Sequence, residues 1–532
     1  MARKKCAQLR SFTGIFQHIL VGVSLGLSFV LTMGSPVEEF DVREHLSSTT
    51  RYDISRRVVD KMDHFLLDAM PPEGCVPIHL NLVARHGTRS PTKKRIRELE
   101  TLEIRLQALI SSLSESPQSV SSFKNVPNWL REWRSPWGEK FIGGELTTQG
   151  EMEMYSLAER LKRQFPEIFK ANYHPDVYPI AATQVPRASA SAVAFGMGIF
   201  AGNGSLGPGQ HRAFAVITDS QANDIHLRFH DCCQNYKESK ATRKPAVERW
   251  QENVYVKVST SLRHRYSINF TSADISSVWF LCKQEASILD IVDQACGFFT
   301  AEEVELLEWA DDVELHQLKG YGEAINYRMG IPLLHNVLHS MEHAIQGSEG
   351  AGNPHFLERA RLRFAHAETV VPFVCLLGLF LEGADVKTTV QEEKPVLPPP
   401  SPPLPRLWRG SVVAPFGVNT MLVLYKCSSK VEGAEMNIDN LSKGPSTYLV
   451  QALHNEKPVP MSACNGTPFC PFEVFRDAVA APHLKHSFEG LCSIRSIPPQ
   501  SWLQWALGYA RGMFYQPPAL VKEIYAHNHL DL

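Results

Sequence analysis

Arg85-His86-Gly87-Thr88-Arg89-Ser90-Pro91 puts an imidazole between two guanidinium groups. The string follows the apolar run Pro77 to Ala84. Arginine binds phosphate bidentately, and a phosphate monoester carries nearly two negative charges near neutral pH. Nearby positive charge lowers the pKa of histidine, so the ring keeps a free lone pair and can act as a nucleophile. Two further apolar runs end on chemically useful groups. Ile180-Ala181-Ala182 leads through Thr183 to Arg187, and Leu362 to Ala365 leads into His366-Ala367-Glu368. In open α/β sheets ligands bind beyond the carboxyl ends of the strands. If these three strands lie side by side, Arg85, Arg89, Arg187 and His366 surround His86, and the helix N-termini that follow favour an anion. Glu368 then stands where it can protonate a leaving oxygen. Each piece alone is weak, since Arg-His-Gly occurs by chance and a lone histidine is usually structural. The information lies in the full string and in the order of the three strand ends.

The elements that must position these groups read as an α/β protein. Pro77–Ala84, Val177–Ala182, Ala213–Thr218, Leu362–Ala365 and Met421–Tyr425 are short apolar runs of the kind that form buried strands, and helical patterns follow most of them. That alternation predicts a mostly parallel sheet covered by helices on both faces. Tyr448–Leu453, Asn455-Glu456-Lys457-Pro458 and Val459–Met461 read as a hairpin near the sheet edge. Lys257–Leu262, Ala286–Ala295, Ala301–Asp312 and Pro332–Gln346 look helical without strands between them. The domain plan is therefore a discontinuous α/β core, residues 71–232 and 355–525, with an inserted helical cap at 233–354. Residues 390–406 hold seven prolines from Pro395 to Pro405 and read as a polyproline-type surface loop.

The chain has 532 residues, 44% of them apolar, enough for a sizeable core. Its formal net charge of -2 lacks the basic excess of a nucleic-acid binder. Arg3, Lys4, Lys5 and Arg10 precede an apolar run from about Ile15 to Met33, which predicts a secretory signal over residues 1–34, with an uncleaved anchor as the alternative. Nothing later reads as transmembrane. Of 11 cysteines only Cys6 lies in that segment, leaving an even number for pairing. Cys464 and Cys470 bracket a turn and are expected to pair. Sequons at Asn203, Asn269, Asn440 and Asn465 agree with a secretory route. The expected location is the extracellular space, a vacuole or the endoplasmic-reticulum lumen.

With those residues in view, the chain resembles the histidine acid phosphatases, which carry Arg-His-Gly-x-Arg near the N-terminus, here Arg85, His86, Gly87 and Arg89. Most members have His-Asp in the second half. His366-Ala367-Glu368 instead resembles the multiple inositol polyphosphate phosphatase branch, which includes plant-type phytases. The likeness runs from about Val76 to Phe475 and takes in Leu146-Thr147-Thr148-Gln149-Gly150 and Cys470-Pro471-Phe472-Glu473-Val474-Phe475. It implies that His86 forms a phosphohistidine, that Arg85, Arg89, Arg187 and His366 hold the scissile phosphate, and that Glu368 is the proton donor in place of Asp. It implies no cofactor or metal, and substrates that are inositol polyphosphates or, in some members, 2,3-bisphosphoglycerate. Lys93 and Lys94 are candidates for the other phosphates, with Lys319 and Arg328 as weaker ones. A phosphomutase or a non-catalytic inositol-phosphate binder are the alternatives. His335, His339 and His343 share a helix face at metal-compatible spacing, but no Glu or Cys falls at a recognised ligand spacing beside them.

Overall fold

The computed structural model describes residues 40–62, 65, 69–114, 126–138, 143–202, 204–350, 357–381, 402, 406–428 and 448–493. The expected secretory signal, most of the proline-rich loop, Asn203, Asn440 and the chain beyond 493 lie outside them. Within residues 41–493 one sheet carries the architecture. Its strands are β1 (Cys75–Arg85), β2 (Ile180–Ala182), β3 (Ala360–Ala365), β4 (Asn419–Cys427), β5 (Tyr448–His454), β6 (Lys457–Pro458) and β7 (Cys470–Pro471). The order is β2-β3-β1-β4-β5-β6, with β7 also on β5. The strands bearing the candidate residues, β2, β3 and β1, run parallel. From β4 onward every pairing is antiparallel. The expected parallel sheet is thus confined to the half that carries the candidates. A tight turn closes the β5–β6 hairpin, where Asn455 and Glu456 both have positive φ (49° and 70°), the conformation two-residue hairpin turns need.

Helices cover both faces because alternate strand residues point to opposite sides. The main helices are α1 (Lys93–Ser114), α2 (Thr148–Gln164), α3 (Pro186–Ile199), α4 (Gln234–Tyr266), α5 (Ser272–Gln284), α6 (Ala301–Lys319), α7 (Ile331–Ser348) and α8 (Ala367–Leu376). Leu80, Leu82 and Ala84 of β1 pack with Met154, Leu157 and Leu161 of α2 and Phe195 of α3. Val83, Leu422, Leu424 and Val450 pack on the other face with Leu334, Val337 and Met341 of α7 and Val370 and Val374 of α8.

Two expectations need correction. Ala213–Thr218 is no buried strand: it lies at the sheet edge, where Ile217 makes a single bridge to Ala181, and Ile217 is exposed. Ala286–Ala295 is helical only as far as Leu289. A π-turn ends at Leu289, and the Cys282–Cys296 disulfide then closes an irregular loop. Within 233–354, the expected cap, α7 packs against the sheet. The second apolar cluster joins Leu99, Leu102 and Leu106 of α1, Trp133 and Trp137, and the inner faces of α4, α5 and α6. Contiguity in sequence had concealed that α1 crosses into this unit while α7 leaves it.

Among the described residues four disulfides are present: Cys75–Cys427, Cys233–Cys492, Cys282–Cys296 and Cys464–Cys470. Cys232 and Cys375 stay as thiols, so the even count does not mean full pairing. Among the described residues no helix is long and apolar enough to cross a membrane.

Candidate active site

Register brings the site together. Arg85 of β1 pairs with Ala365 of β3, and Ala182 of β2 pairs with Phe364. The three strands therefore finish level, and the next residues, His86, His366 and Thr183, emerge side by side. The His86 and His366 rings are 5.4 Å apart. Thr183 Oγ1 lies 2.9 Å from His366 Nε2 and fixes that ring. β4 contributes from its starting end, since it runs the other way: Phe416 lies just before it, and the Arg85 guanidinium stacks 4.4 Å above its ring.

The loop after β1 is clamped by α2. Glu153 accepts hydrogen bonds from the Thr88 amide and hydroxyl, both at 2.8 Å. Thr147, the N-cap of α2, donates its amide and hydroxyl to the Thr88 carbonyl (2.9 and 2.8 Å). The two segments come so close that a Cβ on Gly87 would sit 2.3 Å from the Gly150 carbonyl oxygen, and one on Gly150 would sit 2.2 Å from that of Thr88. Both glycines are there for this approach, which explains why Gly87 and the Leu146–Gly150 string belong to one device.

His86 is buried, and its Nδ1 lies 2.8 Å from the Gly87 carbonyl. A carbonyl only accepts, so Nδ1 carries the proton and Nε2 keeps its lone pair. Burial, then Arg85, His366, Arg187 and Arg89, hold the His86 pKa well below the ordinary histidine value. The imidazole is thus neutral and nucleophilic. Arg85 is anchored by donating Nη1 to the carbonyls of Ser48 and Ala414, each at 2.6 Å. Burial lowers the pKa values of Arg85, Arg89 and Arg187, and neighbouring guanidinium charges add to this in each, though guanidinium groups remain charged. The Nε atoms of Arg85, Arg89, Arg187 and Arg228, with His366 Nδ1, are buried without hydrogen-bond partners. Buried donors are normally satisfied. So many left open beside one nucleophile suit an anion with several acceptor oxygens.

Glu368 occupies the first turn of α8, whose N-cap is His366. Its Oε1 lies 3.0 Å from Lys319 Nζ at the end of α6. Burial alone would raise the carboxyl pKa, but Lys319, His230 and His366 outweigh it and hold it well below the usual carboxylate range. Glu368 is therefore ionised in the free protein and must gain a proton before it can give one.

The cap entrance adds groups not visible in the sequence. Thr369 Oγ1 donates to the Leu227 carbonyl (2.6 Å), which brings the short turn Phe229–Cys232 onto α8. Arg228, ion-paired to Asp231, and His230 face the cluster from that turn, and the charge of Lys240 on α4 interacts with both Lys319 and Glu368. No local pattern marks them, because they lie far in sequence from the strand ends and are brought in by packing: Leu227, Phe229, Cys233 and Tyr236 join the apolar cluster of the sheet and α8. Lys319 joins the site. Lys93 and Lys94 do not enter the buried cluster; they are exposed in the first turn of α1. Arg328 is buried instead near Tyr327 and His483. His335, His339 and His343 sit on the exposed face of α7, the last two with rings 4.1 Å apart. Among the described residues no three or more His, Cys, Asp or Glu converge to hold a metal. Asn269 and Asn465 are exposed.

A neutral imidazole ringed by guanidinium groups at the strand ends of an α/β sheet is the equipment of an enzyme that moves phosphoryl groups through histidine. Residues 78–455 match the model of the histidine phosphatase superfamily (branch 2), and the chain belongs to that family. Among curated proteins it is similar to multiple inositol polyphosphate phosphatase 1 of Dictyostelium discoideum, 29% identical over 76% of this chain and 66% of that protein. The protein of the same name from Homo sapiens is 27% identical over 73% of this chain and 76% of its own length. The fold is shared with the phytase from D. castellii (TM-score 0.62, 17% identity, 88% of this chain and 92% of that one). It is also shared with the Bifidobacterium longum multiple inositol polyphosphate phosphatase solved with inositol hexasulfate (TM-score 0.56, 19% identity, 83% and 98%).

Proposed function

We propose that the protein is a phosphomonoesterase that hydrolyses inositol polyphosphates through a phosphohistidine at His86. The observation that carries this is the set of unpartnered buried donors around a neutral His86 whose Nε2 is free to attack. Arg85, Arg89, Arg187 and His366 hold the scissile phosphate, and their positive charge stabilises the negative charge on the transferring group. His86 Nε2 bonds to phosphorus as the bridging P–O bond breaks. Protonated Glu368 gives its proton to the departing alcohol oxygen. Water then attacks the phosphohistidine, its proton returns to Glu368, and inorganic phosphate leaves with His86 regenerated. The names of the relatives support the choice of substrate, as does the surplus of cationic groups beyond those one phosphate needs. Purified protein incubated with inositol hexakisphosphate is expected to release phosphate and lower inositol phosphates. Tight binding with no release at any pH would instead identify a binding protein.

The basic head and apolar run at the N-terminus, with four disulfides, support a secretory-pathway location. Expression in a eukaryotic host should yield protein shortened near residue 34 and sensitive to glycosidase. Full-length unglycosylated protein in the cytosol would contradict this.

A further inference from the structure

Lys319 raises a question that the hydrolytic scheme leaves open. It holds the carboxylate that the scheme needs protonated. The capping box of Thr300 and Glu303 starts α6, and the helix delivers Lys319 from the cap to within 3.0 Å of Glu368. Both side chains are largely but not wholly buried, 22% and 31% exposed, so an incoming ligand can reach them. The leaving oxygen must lie within hydrogen-bond reach of Glu368. Whatever the leaving group carries on the neighbouring carbon therefore falls beside Lys319.

We propose that Lys319 is a specificity-determining residue: it holds Glu368 until a phosphate vicinal to the scissile one takes the ammonium for itself, which frees the carboxyl to act as proton donor. This rests on the reading of Glu368 as the acid. A dianionic phosphate competes well against one carboxylate for an ammonium. Once Lys319 is shared, Glu368 loses its strongest charge partner and sits beside added negative charge, and both changes favour its neutral form. Substrates with a single phosphate leave the pair intact. Their leaving alcohols then go without a proton unless the solution is strongly acidic.

The other groups facing Glu368 do not replace Lys319. Arg85 comes from the end of β1, Arg89 from the loop after it, and Arg187 from α3, and each feels the Glu368 charge; in the proposed function these three hold the scissile phosphate. His230 faces it from the turn before α4, and burial lowers the pKa of that ring. His366 is buried and likewise held low. Tyr236 and Lys240 act on it from α4. Of the lysines, Lys319 is hydrogen-bonded to the carboxyl and Lys240 only acts through space.

The test compares the falling, alkaline limb of the kcat–pH profile for inositol hexakisphosphate and for glycerol 2-phosphate, an alkyl monophosphate. In the unaltered protein the monophosphate limb should lie lower by about one pH unit or more, a tenfold or greater difference in protonated Glu368 at a given pH. Lys319→Met should move the monophosphate limb up and close the gap, while raising KM for the hexakisphosphate. Lys319→Arg should keep the gap. Coincident limbs in the unaltered protein would overturn the proposal even if Lys319→Met fails to fold. So would a variant that shifts both limbs equally, or neither. Those failures leave hexakisphosphate hydrolysis standing; absence of hydrolysis by the unaltered protein would remove the functional reading itself.

Discussion

At His86 the Gly87 carbonyl fixes the proton on Nδ1, and burial with three guanidinium groups keeps the ring neutral. Three predictions belong at this scale. His86→Ala should reduce phosphate release to background and abolish phosphoenzyme trapping; covalent labelling that survives would move the nucleophile elsewhere. The pH profile should also be asymmetric. A nucleophile whose pKa is depressed stays deprotonated as pH falls, so the rising limb of kcat/KM should lie well below pH 6.5. A rising limb at or above the ordinary histidine value would show that the guanidinium groups do not act on His86 as described. Glu368→Gln should cost about 10²–10⁴-fold on alkyl phosphates and far less on activated aryl phosphates, whose leaving groups need no proton. At this scale the sequence was most readable where chemistry is written contiguously, at Arg85–Arg89 and His366–Glu368. It was silent on Arg228 and His230, from the turn before α4, and on Lys240 of α4, which reach the cluster only through packing.

Between elements, the close approach of the β1 loop and the start of α2 sets the precision of the site. Gly87→Ala and Gly150→Ala each force a carbonyl aside, because the new Cβ would lie within 2.3 Å of backbone oxygen. A loss of about 1–3 kcal/mol in stability is expected, together with a fall in kcat as Arg85 and His86 shift. Denaturant unfolding and kinetics measure the two effects separately, and alanine variants with unaltered stability would contradict the packing account. The strands were legible where apolar residues run on to a strand end, as in β1 and β3. Ala213–Thr218 misled because an edge segment can carry apolar residues that pack on one side only. Ala286–Ala295 misled because a helical pattern does not reveal that a disulfide, Cys282–Cys296, will close a loop there.

Over the described residues, one apolar cluster lies on each face of the sheet and a third joins α1, α4, α5 and α6; α6 also delivers Lys319 to the candidate site. Two disulfides span long stretches of chain: Cys75–Cys427 ties β1 to β4, and Cys233–Cys492 ties the start of α4 to the last described turn. Cross-links over long loops limit the unfolded ensemble, typically by about 2–4 kcal/mol each. Reduction should therefore lower the melting temperature by many degrees, and a melting curve unmoved by reductant would show that the bridges do not form. Cap membership was the least legible feature, since it depends on which faces of α1 and α7 find partners and not on position in the chain.

The central claim is that His86 carries the phosphoryl group between substrate and water. Its most direct test is to mix enzyme with inositol hexakisphosphate, quench within the first turnovers under alkaline conditions that preserve phosphohistidine, and map the modified peptide by mass spectrometry. The account predicts a phosphoryl group on His86, in the unaltered protein and not in His86→Ala. Steady release of phosphate with no phosphoryl group on His86, or with one on another residue, would contradict it.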